Sequence, residues 1–319
     1  MTHAREAFRI LVVGAGATGG YFGGRLAQAG RDVTFLLRPA RATAIRSDGL
    51  QIVSQHGDVT LEPAVLEVGG IDRHYDLILL CVKAFALEQA MSDLAPAVGP
   101  DTLVLPLLNG MRHLDLLVDR FGRDAVLGGV CVVSTTLDEH GRVVQLASMQ
   151  ELTYGALDPA APGVRLGEVD AALQDAGFTA RLSGSIVAAM WQKWVMLASA
   201  GALNLLLRGT VGDIVAVPDG GSIAREMVAE TVAIAAAAGQ PLSAGAWRRI
   251  ADMVTEPGSS FTTSMYRDVL AGRPVESDAI IGDLVDRAQQ LGVATPLLRL
   301  AGIQLEIYQQ RRLAAARPA

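Results

Sequence analysis

Apolar residues in the first half of the chain occur in short runs with helical spacing between them. The segments 8–14 (FRILVVG) and 32–37 (DVTFLL) have the composition of strands, and 18–30 between them has helical spacing and ends at a glycine. Two further runs, 76–82 (DLILLCV) and 102–108 (TLVLPLL), are continuously apolar, which is typical of strands covered on both faces. The pattern predicts a parallel sheet with helices between its strands.

Three other segments are also rich in strand-forming residues. The segment 51–68 resembles a hairpin with a polar tip, and 126–157 has the pattern of strands joined by the turn DEHG. We expect both to extend the parallel sheet with antiparallel members. One more helix and a short strand at 179–182 are expected to finish this domain.

Helical spacing dominates the chain after Ser183. The predicted helices are 185–207, 219–238, 243–254, 259–271, 278–291 and 296–311. We therefore predict an α/β domain at 1–183 and an all-α domain at 184–319, with a cleft between them. Ligands favour such clefts.

The composition and net charge of the chain indicate which kinds of binding partner to expect. Of the 319 residues, 50% are hydrophobic and 19% are charged, and the formal net charge is -6. An acidic protein lacks the broad attraction to phosphate backbones and anionic membranes, so we expect neither nucleic acid nor a membrane as partner. The uncharged run 194–207 is shorter than the ~20 residues that span a bilayer, and we interpret it as a buried helix.

Cysteine, histidine and N-terminal patterns bear on metal binding and location. Cys81 and Cys131 lack the short spacings of metal or redox motifs, and the five histidines are scattered, so we expect no metal site and a reduced compartment. The apolar run near the N-terminus has strand length and leads into glycines rather than a cleavage site. These features favour a cytoplasmic protein.

The sequence GAGATG follows the first predicted strand and opens the first helix, as a G-x-G-x-x-G loop must to bind a dinucleotide. Its first glycine permits a tight turn, the second lets the backbone approach a pyrophosphate, and the third lets the helix pack closely. The helix amides then face the phosphates. We therefore predict a Rossmann-type dinucleotide-binding domain followed by an all-α domain. The expected cofactor contacts in the loop are Gly14, Ala15, Gly16, Ala17, Thr18 and Gly19.

The end of the second strand bears on the choice of cofactor. A site selecting NAD would place an acid there to bind the ribose hydroxyls, whereas this chain has Arg38 and Arg41 and no acid from Val33 to Arg46. A cation suits the 2′-phosphate of NADP. The alternative is that both arginines are ordinary solvated loop residues.

Polar residues also follow the two continuously apolar strands. Lys83 comes just after the third strand, and Asn109 with Gly110 comes just after the fourth. The carboxyl edge of such a sheet faces the ligand, and an asparagine offers both a donor and an acceptor. A solvated lysine and an Asn-Gly turn are the plain alternatives, although both occurring at successive strand ends favours a site.

Lys193 is the one charge in the apolar segment 186–207. Its methylene stem can lie on apolar surface while the ammonium reaches water. Alternatively, a partly desolvated lysine in the cleft can donate a proton to a carbonyl oxygen as hydride arrives at the carbon. The residues alone leave these two interpretations open.

The segment 260–284 carries the remaining polar cluster. Thr262, Thr263 and Ser264 are expected to begin one helix, while Glu276 and Asp278 precede the next. Helix capping explains such residues, and hydroxyls with a carboxylate equally suit a polar substrate pocket.

Taken in order, the motifs resemble those of the ketopantoate reductase (2-dehydropantoate 2-reductase) family. The motifs are GAGATG, LLR, CVKA, LNGM, MWQKWVML, SSFTTSMYRD and AGRPVESDAIIGDLVDRAQQLGVATP, which together extend over nearly the whole chain. The resemblance implies NADPH-dependent reduction of a 2-oxo acid to a 2-hydroxy acid by a Rossmann domain and a helical domain. If the chain forms a homodimer, we expect the contact in the helical domain.

The resemblance also implies roles for individual residues. Lys193 matches the catalytic proton donor, and Glu276 matches a carboxylate near the nicotinamide and substrate. Asn109 matches a residue that contacts both cofactor and substrate, Ser264 a contact of the substrate carboxylate, Arg38 the 2′-phosphate ligand, and Lys83 a cofactor-side lysine.

Three positions depart from the family's pattern, since Leu197, Gly201 and Phe261 stand where asparagines that help to hold the substrate are expected. The leading hypothesis is reduction of ketopantoate to pantoate in pantothenate biosynthesis. A second is reduction of a larger or more apolar oxo acid, or of an imine. A third is a non-catalytic protein that senses NADP(H).

Overall fold

The computed structural model describes residues 7–160 and 164–315. Clustering of the chain gives two compact units: one from residues within 1–108 and 113–187, the other from 109–112 and 188–319. The segment 109–112, predicted within the first domain, thus groups with the helical unit.

Among its described residues, the first unit contains ten strands and five α-helices. The strands are β1 (Arg9–Val13), β2 (Asp32–Leu37), β3 (Leu50–Val53), β4 (Val59–Leu61), β5 (Ala64–Glu67), β6 (Leu77–Leu80), β7 (Leu103–Pro106), β8 (Leu127–Leu137), β9 (Val143–Ala156) and β10 (Thr179–Leu182). The helices are α1 (Ala17–Gln28), α2 (Pro39–Asp48), α3 (Leu87–Leu94), α4 (Arg112–Phe121), which starts in the segment 109–112, and α5 (Leu166–Leu173).

A five-stranded parallel sheet with the order β5-β2-β1-β6-β7 organises this unit. The side chains of β6 and β7 are buried along their whole length, as their continuous apolar runs predict. Because β1 pairs in parallel with both β2 and β6, the loops that follow these three strands emerge at one edge of the sheet. The parallel sheet with intervening helices is therefore confirmed.

A second five-stranded sheet corrects the prediction that the later strands extend the first one. Here β9 pairs antiparallel with β8 and parallel with β3 and β10, and β4 pairs with β3. The predicted turn between β8 and β9 is present. The partners of β9 lie far away in sequence, so periodicity alone could not reveal which sheet it joins.

The predicted hairpin at 51–68 is only partly right. Its antiparallel pairing ends at Leu61, and the remaining strand, β5, pairs in parallel with β2 in the first sheet. The segment therefore crosses from one sheet to the other.

The second unit is helical. Its helices are α6 (Ile186–Leu207), α7 (Val211–Val215), α8 (Gly220–Ala237), α9 (Ala244–Val254), α10 (Ser264–Leu270), a π-helix at Asp278–Gly282, α11 (Asp283–Gln290) and α12 (Pro296–Ala315). The helix predicted at 259–271 begins only at Ser264, because Thr263 is extended and caps it with its side chain. The helix predicted at 278–291 begins with the π-turn.

Helix α7, which is five residues long, was not predicted. Its signal is a capping box, in which the Thr210 hydroxyl accepts from the Asp213 amide while the Asp213 carboxylate accepts from the Thr210 amide. This short element turns the chain after α6.

Helix α6 is apolar on most of its surface. Among the described residues it is the one helix long and apolar enough to cross a membrane, but 61% of its most apolar window is buried inside the structure. That burial is typical of the central helix of a helical core.

Candidate functional site

The glycine loop between β1 and α1 depends on its first and third glycines. Gly14 has a φ of +93°, and a Cβ there would lie 3.2 Å from the Cys81 carbonyl oxygen. A Cβ on Gly19 would lie 2.1 Å from the Gly14 carbonyl oxygen and 2.7 Å from the Cys81 Cβ. Side chains at these positions would separate α1 from the end of β6, so the glycines allow a tight turn and close packing.

The middle of the loop is open. A Cβ added to Gly16 would meet nothing within 4 Å, although Ala15 beside it is buried. Gly16 is the N-cap residue of α1, and no side chain caps the helix. The amides of Ala17 and Thr18 begin the first turn, where α-helices leave N–H groups without an intrahelical acceptor. The loop therefore has the shape and donors that a pyrophosphate requires.

The two arginines that follow β2 lie in different environments. Arg38 is exposed at the N-terminus of α2. Arg41 is half-buried, and its guanidinium donates from Nε to the Ala15 carbonyl at 3.0 Å and from Nη1 to the Gly141 carbonyl at 2.9 Å. Burial lowers the pKa of the Arg41 side chain, although an arginine stays protonated in proteins. Of the two arginines, Arg38 is thus the better placed to meet a ligand.

Lys83 lies at the same edge of the first sheet. It is exposed, three residues after β6, and begins a 3-10 turn at Ala84–Ala86. Phe85 in this turn is 66% exposed. The glycine loop, Arg38 and Lys83 therefore follow the three neighbouring strands β1, β2 and β6.

In the second unit, the position of Asn109 depends on close packing of the next residue, Gly110. Gly110 has a φ of +80°, and a Cβ there would lie 2.0 Å from the carbonyl oxygen of Ala279 in the π-helix. The backbone at Asn109 and Gly110 therefore packs directly on that helix. Any larger residue at 110 would push the two segments apart.

Lys193 lies on α6, half-buried and next to a residue that binds the same π-helix. The Trp194 indole Nε1 donates to the carbonyl oxygen of Ile280 at 2.8 Å. The amide of Ile280 in turn donates to the carbonyl oxygen of Glu276 at 3.2 Å. These two bonds bring the backbone of Glu276, which is also half-buried, close to the turn of α6 that carries Lys193.

The start of α10 lies further along the same face of α6. Asn204, three turns after Lys193, accepts from the Thr263 amide at 3.0 Å through its Oδ1. Thr263 caps α10 and is followed by Ser264, which is exposed. Ser264 thus lies in the first turn of a helix whose start is fixed to α6.

The face of α6 between Lys193 and Asn204 carries mainly apolar groups, with the Thr263 hydroxyl oxygen 3.7 Å from the position of a Cβ at residue 201. Leu197 is half-buried one turn after the lysine. Gly201 follows a turn later, where a Cβ would lie 2.7 Å from the Cε of Met265. The Met265 methyl group therefore occupies the space that a side chain at 201 would need.

The predicted site residues thus form two sets, one in each unit. The segments that carry Asn109, Lys193 and Glu276 contact the π-helix, and Ser264 follows the residue that bonds to Asn204 of α6. π-turns inside helices are frequently found at functional sites, and this one falls within the helix predicted at 278–291. Among the described residues, no group of three or more His, Cys, Asp or Glu could hold a metal ion.

The fold is that of a family of oxidoreductases that depend on a dinucleotide. Residues 10–159 match the family "Ketopantoate reductase PanE/ApbA", and residues 185–305 match its C-terminal counterpart. The chain belongs to the ketopantoate reductase family. The resemblance inferred from the motifs is therefore confirmed.

Individual relatives cover nearly the full chain. An uncharacterized oxidoreductase, YkpB of Bacillus subtilis, is 29% identical over 95% of this chain and 100% of its own length. The structure of 2-dehydropantoate 2-reductase from Geobacter metallireducens is 30% identical, covers 94% of this chain and 99% of its own, and has a TM-score of 0.84. A D-mandelate dehydrogenase with NADH and anilino(oxo)acetate is similar in fold, with 23% identity, a TM-score of 0.84, and coverage of 96% of this chain and 99% of its own.

Proposed function

We propose that the protein reduces a 2-oxo acid to a 2-hydroxy acid with NADPH, with 2-dehydropantoate, reduced to pantoate in pantothenate biosynthesis, as the leading substrate. The observation that carries the proposal is that the segments bearing Asn109, Lys193 and Glu276 all contact the π-helix of the second unit. The contacts are made by Gly110, by Trp194 and by the backbone of Glu276. These segments carry an ammonium group that can donate the proton that carbonyl reduction requires, and a carboxylate and an amide that can orient it and the substrate.

The chain's own part in the reaction is to supply a proton and to orient the substrate. A bound nicotinamide supplies the hydride. Lys193 donates a proton from Nζ to the carbonyl oxygen, which becomes the hydroxyl of the product. Glu276 orients the ammonium, Asn109 positions the carbonyl, and Ser264 binds the substrate carboxylate. A general acid of this kind contributes roughly 10²–10⁴ in rate.

The choice of NADPH rests on Arg38. Arg38 is exposed just after β2. The other arginine of α2, Arg41, is already bonded to the carbonyl groups of Ala15 and Gly141. A 2′-phosphate on the cofactor ribose would give Arg38 a charge-assisted partner. The D-mandelate dehydrogenase similar in fold has NADH, so the cofactor preference needs its own test.

A second candidate substrate is a 2-oxo acid with a more apolar side chain. Leu197 and the Met265 methyl group at Gly201 make the face of α6 beyond Lys193 mainly apolar, although the Thr263 hydroxyl lies nearby. Such a wall favours a hydrocarbon group over the hydroxyl of ketopantoate, because a buried hydroxyl without a partner loses its hydrogen bonds to water. The family relationship supports the chemistry for both candidates.

A matched pair of substrates separates the two candidates. Ketopantoate and 3,3-dimethyl-2-oxobutanoate differ only in the hydroxyl, and NADPH oxidation is followed by absorbance with each, together with phenylglyoxylate as a larger apolar acid. A site that hydrogen-bonds the hydroxyl would prefer ketopantoate by roughly 10⁴ in kcat/KM. A preference for the acids without the hydroxyl supports the second candidate.

Cofactor binding without turnover of any of these acids would contradict both candidates. That outcome would favour a protein that senses NADP(H) without catalysis. The same assay run with NADH in place of NADPH tests the cofactor.

A further inference from the structure

Arg41 links three parts of the first unit that are distant in sequence. It lies on α2, and its guanidinium binds the carbonyl oxygen of Ala15 inside the glycine loop and that of Gly141 in the turn between β8 and β9. A planar guanidinium presents several donors in a fixed fork, so it can hold two carbonyl groups at once. The second sheet is thereby connected to the glycine loop.

The bond to Ala15 fixes the direction of a neighbouring donor. The carbonyl of Ala15 and the amide of Gly16 belong to the same peptide unit, which is trans. In a trans peptide the C=O and N–H groups point in opposite directions. When Arg41 holds the carbonyl, the Gly16 amide must therefore point away from Arg41.

The Gly16 amide lies at the open part of the loop. A Cβ on Gly16 would meet nothing within 4 Å, so the space beside this residue can admit a ligand. The amide is also at the N-terminus of α1, where donors and the helix dipole favour an anion.

The second carbonyl group that Arg41 binds belongs to a glycine, Gly141. It has a φ of +75°, and a Cβ there would lie 2.9 Å from Nη1 of Arg41. Any side chain at this position would disturb both the turn and the guanidinium. The close approach of the two groups therefore depends on a glycine 100 residues away from the arginine.

We propose that Arg41 is a positioning residue for the dinucleotide, which orients the Gly16 amide toward the pyrophosphate and is itself held by the β8–β9 turn. The inference rests on the proposed dinucleotide binding at the glycine loop. The two arginines thus have different proposed roles. Arg41 acts on the pyrophosphate, which NADPH and NADH share, whereas Arg38 acts on the 2′-phosphate, which only NADPH carries.

The first test measures the dissociation constants of NADPH and NADH for Arg41→Met. We expect both to rise about tenfold, as for loss of a hydrogen bond to a charged group, with kcat at saturating cofactor little changed. Arg46→Met is the matched control, because Arg46 lies on the same helix and forms an exposed ion pair with Glu67. Its affinities should stay within about twofold of the unmutated protein.

Arg41→Lys separates orientation from charge. Lysine retains the positive charge but lacks the planar fork, so we expect it to restore only part of the lost affinity. Full restoration by lysine, a loss confined to NADPH, or unchanged affinity in Arg41→Met would each overturn the proposal.

If Arg41→Met folds poorly, Gly141→Ala in the parent protein keeps the proposal testable, because unchanged affinity for both dinucleotides in that variant would refute it. Where Arg41→Met folds, a double-mutant cycle with Gly141→Ala tests the coupling. We expect Gly141→Ala to weaken both dinucleotides in the parent protein but to have little further effect in the Arg41→Met background, because its influence passes through the arginine. Additive losses would show that the turn acts independently and would refute the coupling. If the unmutated protein bound neither dinucleotide, the proposed function would fail together with this inference, whereas normal binding with an inert Arg41 would refute the inference alone.

Discussion

Replacing Gly110 by alanine tests the contact that holds Asn109 on the π-helix. The residue has a φ of +80°, a conformation that costs an L-residue about 1–2 kcal/mol. The new Cβ would also lie 2.0 Å from the Ala279 carbonyl oxygen, more than 1 Å inside any normal contact. Relieving that overlap by moving backbone costs about another 1–3 kcal/mol, so we expect Gly110→Ala to lose about 2–5 kcal/mol of stability.

Gly239→Ala is the control for backbone strain. Gly239 has a φ of +75° in the same unit, but a Cβ there would meet nothing within 4 Å. We expect it to lose only about 1–2 kcal/mol. Urea unfolding followed by tryptophan fluorescence reports on this unit, because all three tryptophans of the chain, at positions 191, 194 and 247, lie in it.

Activity provides the second measurement on the same variants. Displacing the π-helix moves Asn109 relative to Lys193, so kcat/KM should fall in Gly110→Ala and stay near the parent value in Gly239→Ala. Equal stability and equal activity in the two variants would refute the packing of the Asn109 segment on the π-helix.

Three further predictions concern individual side chains. Arg38→Met should raise the dissociation constant of NADPH about tenfold and that of NADH by less than about twofold, and equal effects on both would contradict contact with a 2′-phosphate. Trp194→Phe removes the donor to the Ile280 carbonyl, so we expect the free energy of unfolding in urea to fall by about 1–3 kcal/mol and kcat to fall as well. An unchanged kcat would mean that this bond does not position the site. Burial, with a smaller effect of Cys131, raises the pKa of the Cys81 thiol, although the residue as a whole is partly exposed. Cys81 packs against Gly19 and should therefore be alkylated slowly at pH 8 in the native protein and faster after unfolding, as peptide mass spectrometry can measure separately from Cys131. Rapid native modification of Cys81 would contradict its packing against the glycine loop.

Local patterns in the sequence were sufficient for four of the five strands of the first sheet and for most helices. The runs that form β6 and β7 are continuously apolar, and those that form β1 and β2 are rich in strand-forming residues. Each of the four lies within one or two residues of its predicted position. The second sheet could not be predicted in the same way. Its long strand β9 pairs with β3 and β10, and such pairings depend on packing between distant segments.

For the candidate site, too, the sequence indicated some features and left others to the fold. The residue types and their order indicated Lys193, Glu276 and Asn109, but the contacts that hold these segments together involve Trp194, Ile280 and Ala279, which carry no chemical signal. Likewise, the charge pattern after β2 did not distinguish Arg38 from Arg41, and only the family resemblance assigned the 2′-phosphate to Arg38. The fold adds that the Arg41 guanidinium is bonded to the glycine loop. The short helix α7, by contrast, has a capping box that a closer look at the sequence would have found.

The proton-donor role of Lys193 is the central claim, and a single-turnover measurement tests it most directly. NADPH oxidation is followed after mixing the enzyme–NADPH complex with the best 2-oxo acid of the substrate panel, and the 2-hydroxy acid formed is quantified. The account predicts one hydroxy acid per NADPH oxidised in the parent protein, and a rate lower by roughly 10²–10⁴ in Lys193→Ala with NADPH affinity retained. A Lys193→Ala rate within about threefold of the parent, far less than a general acid contributes, would contradict it.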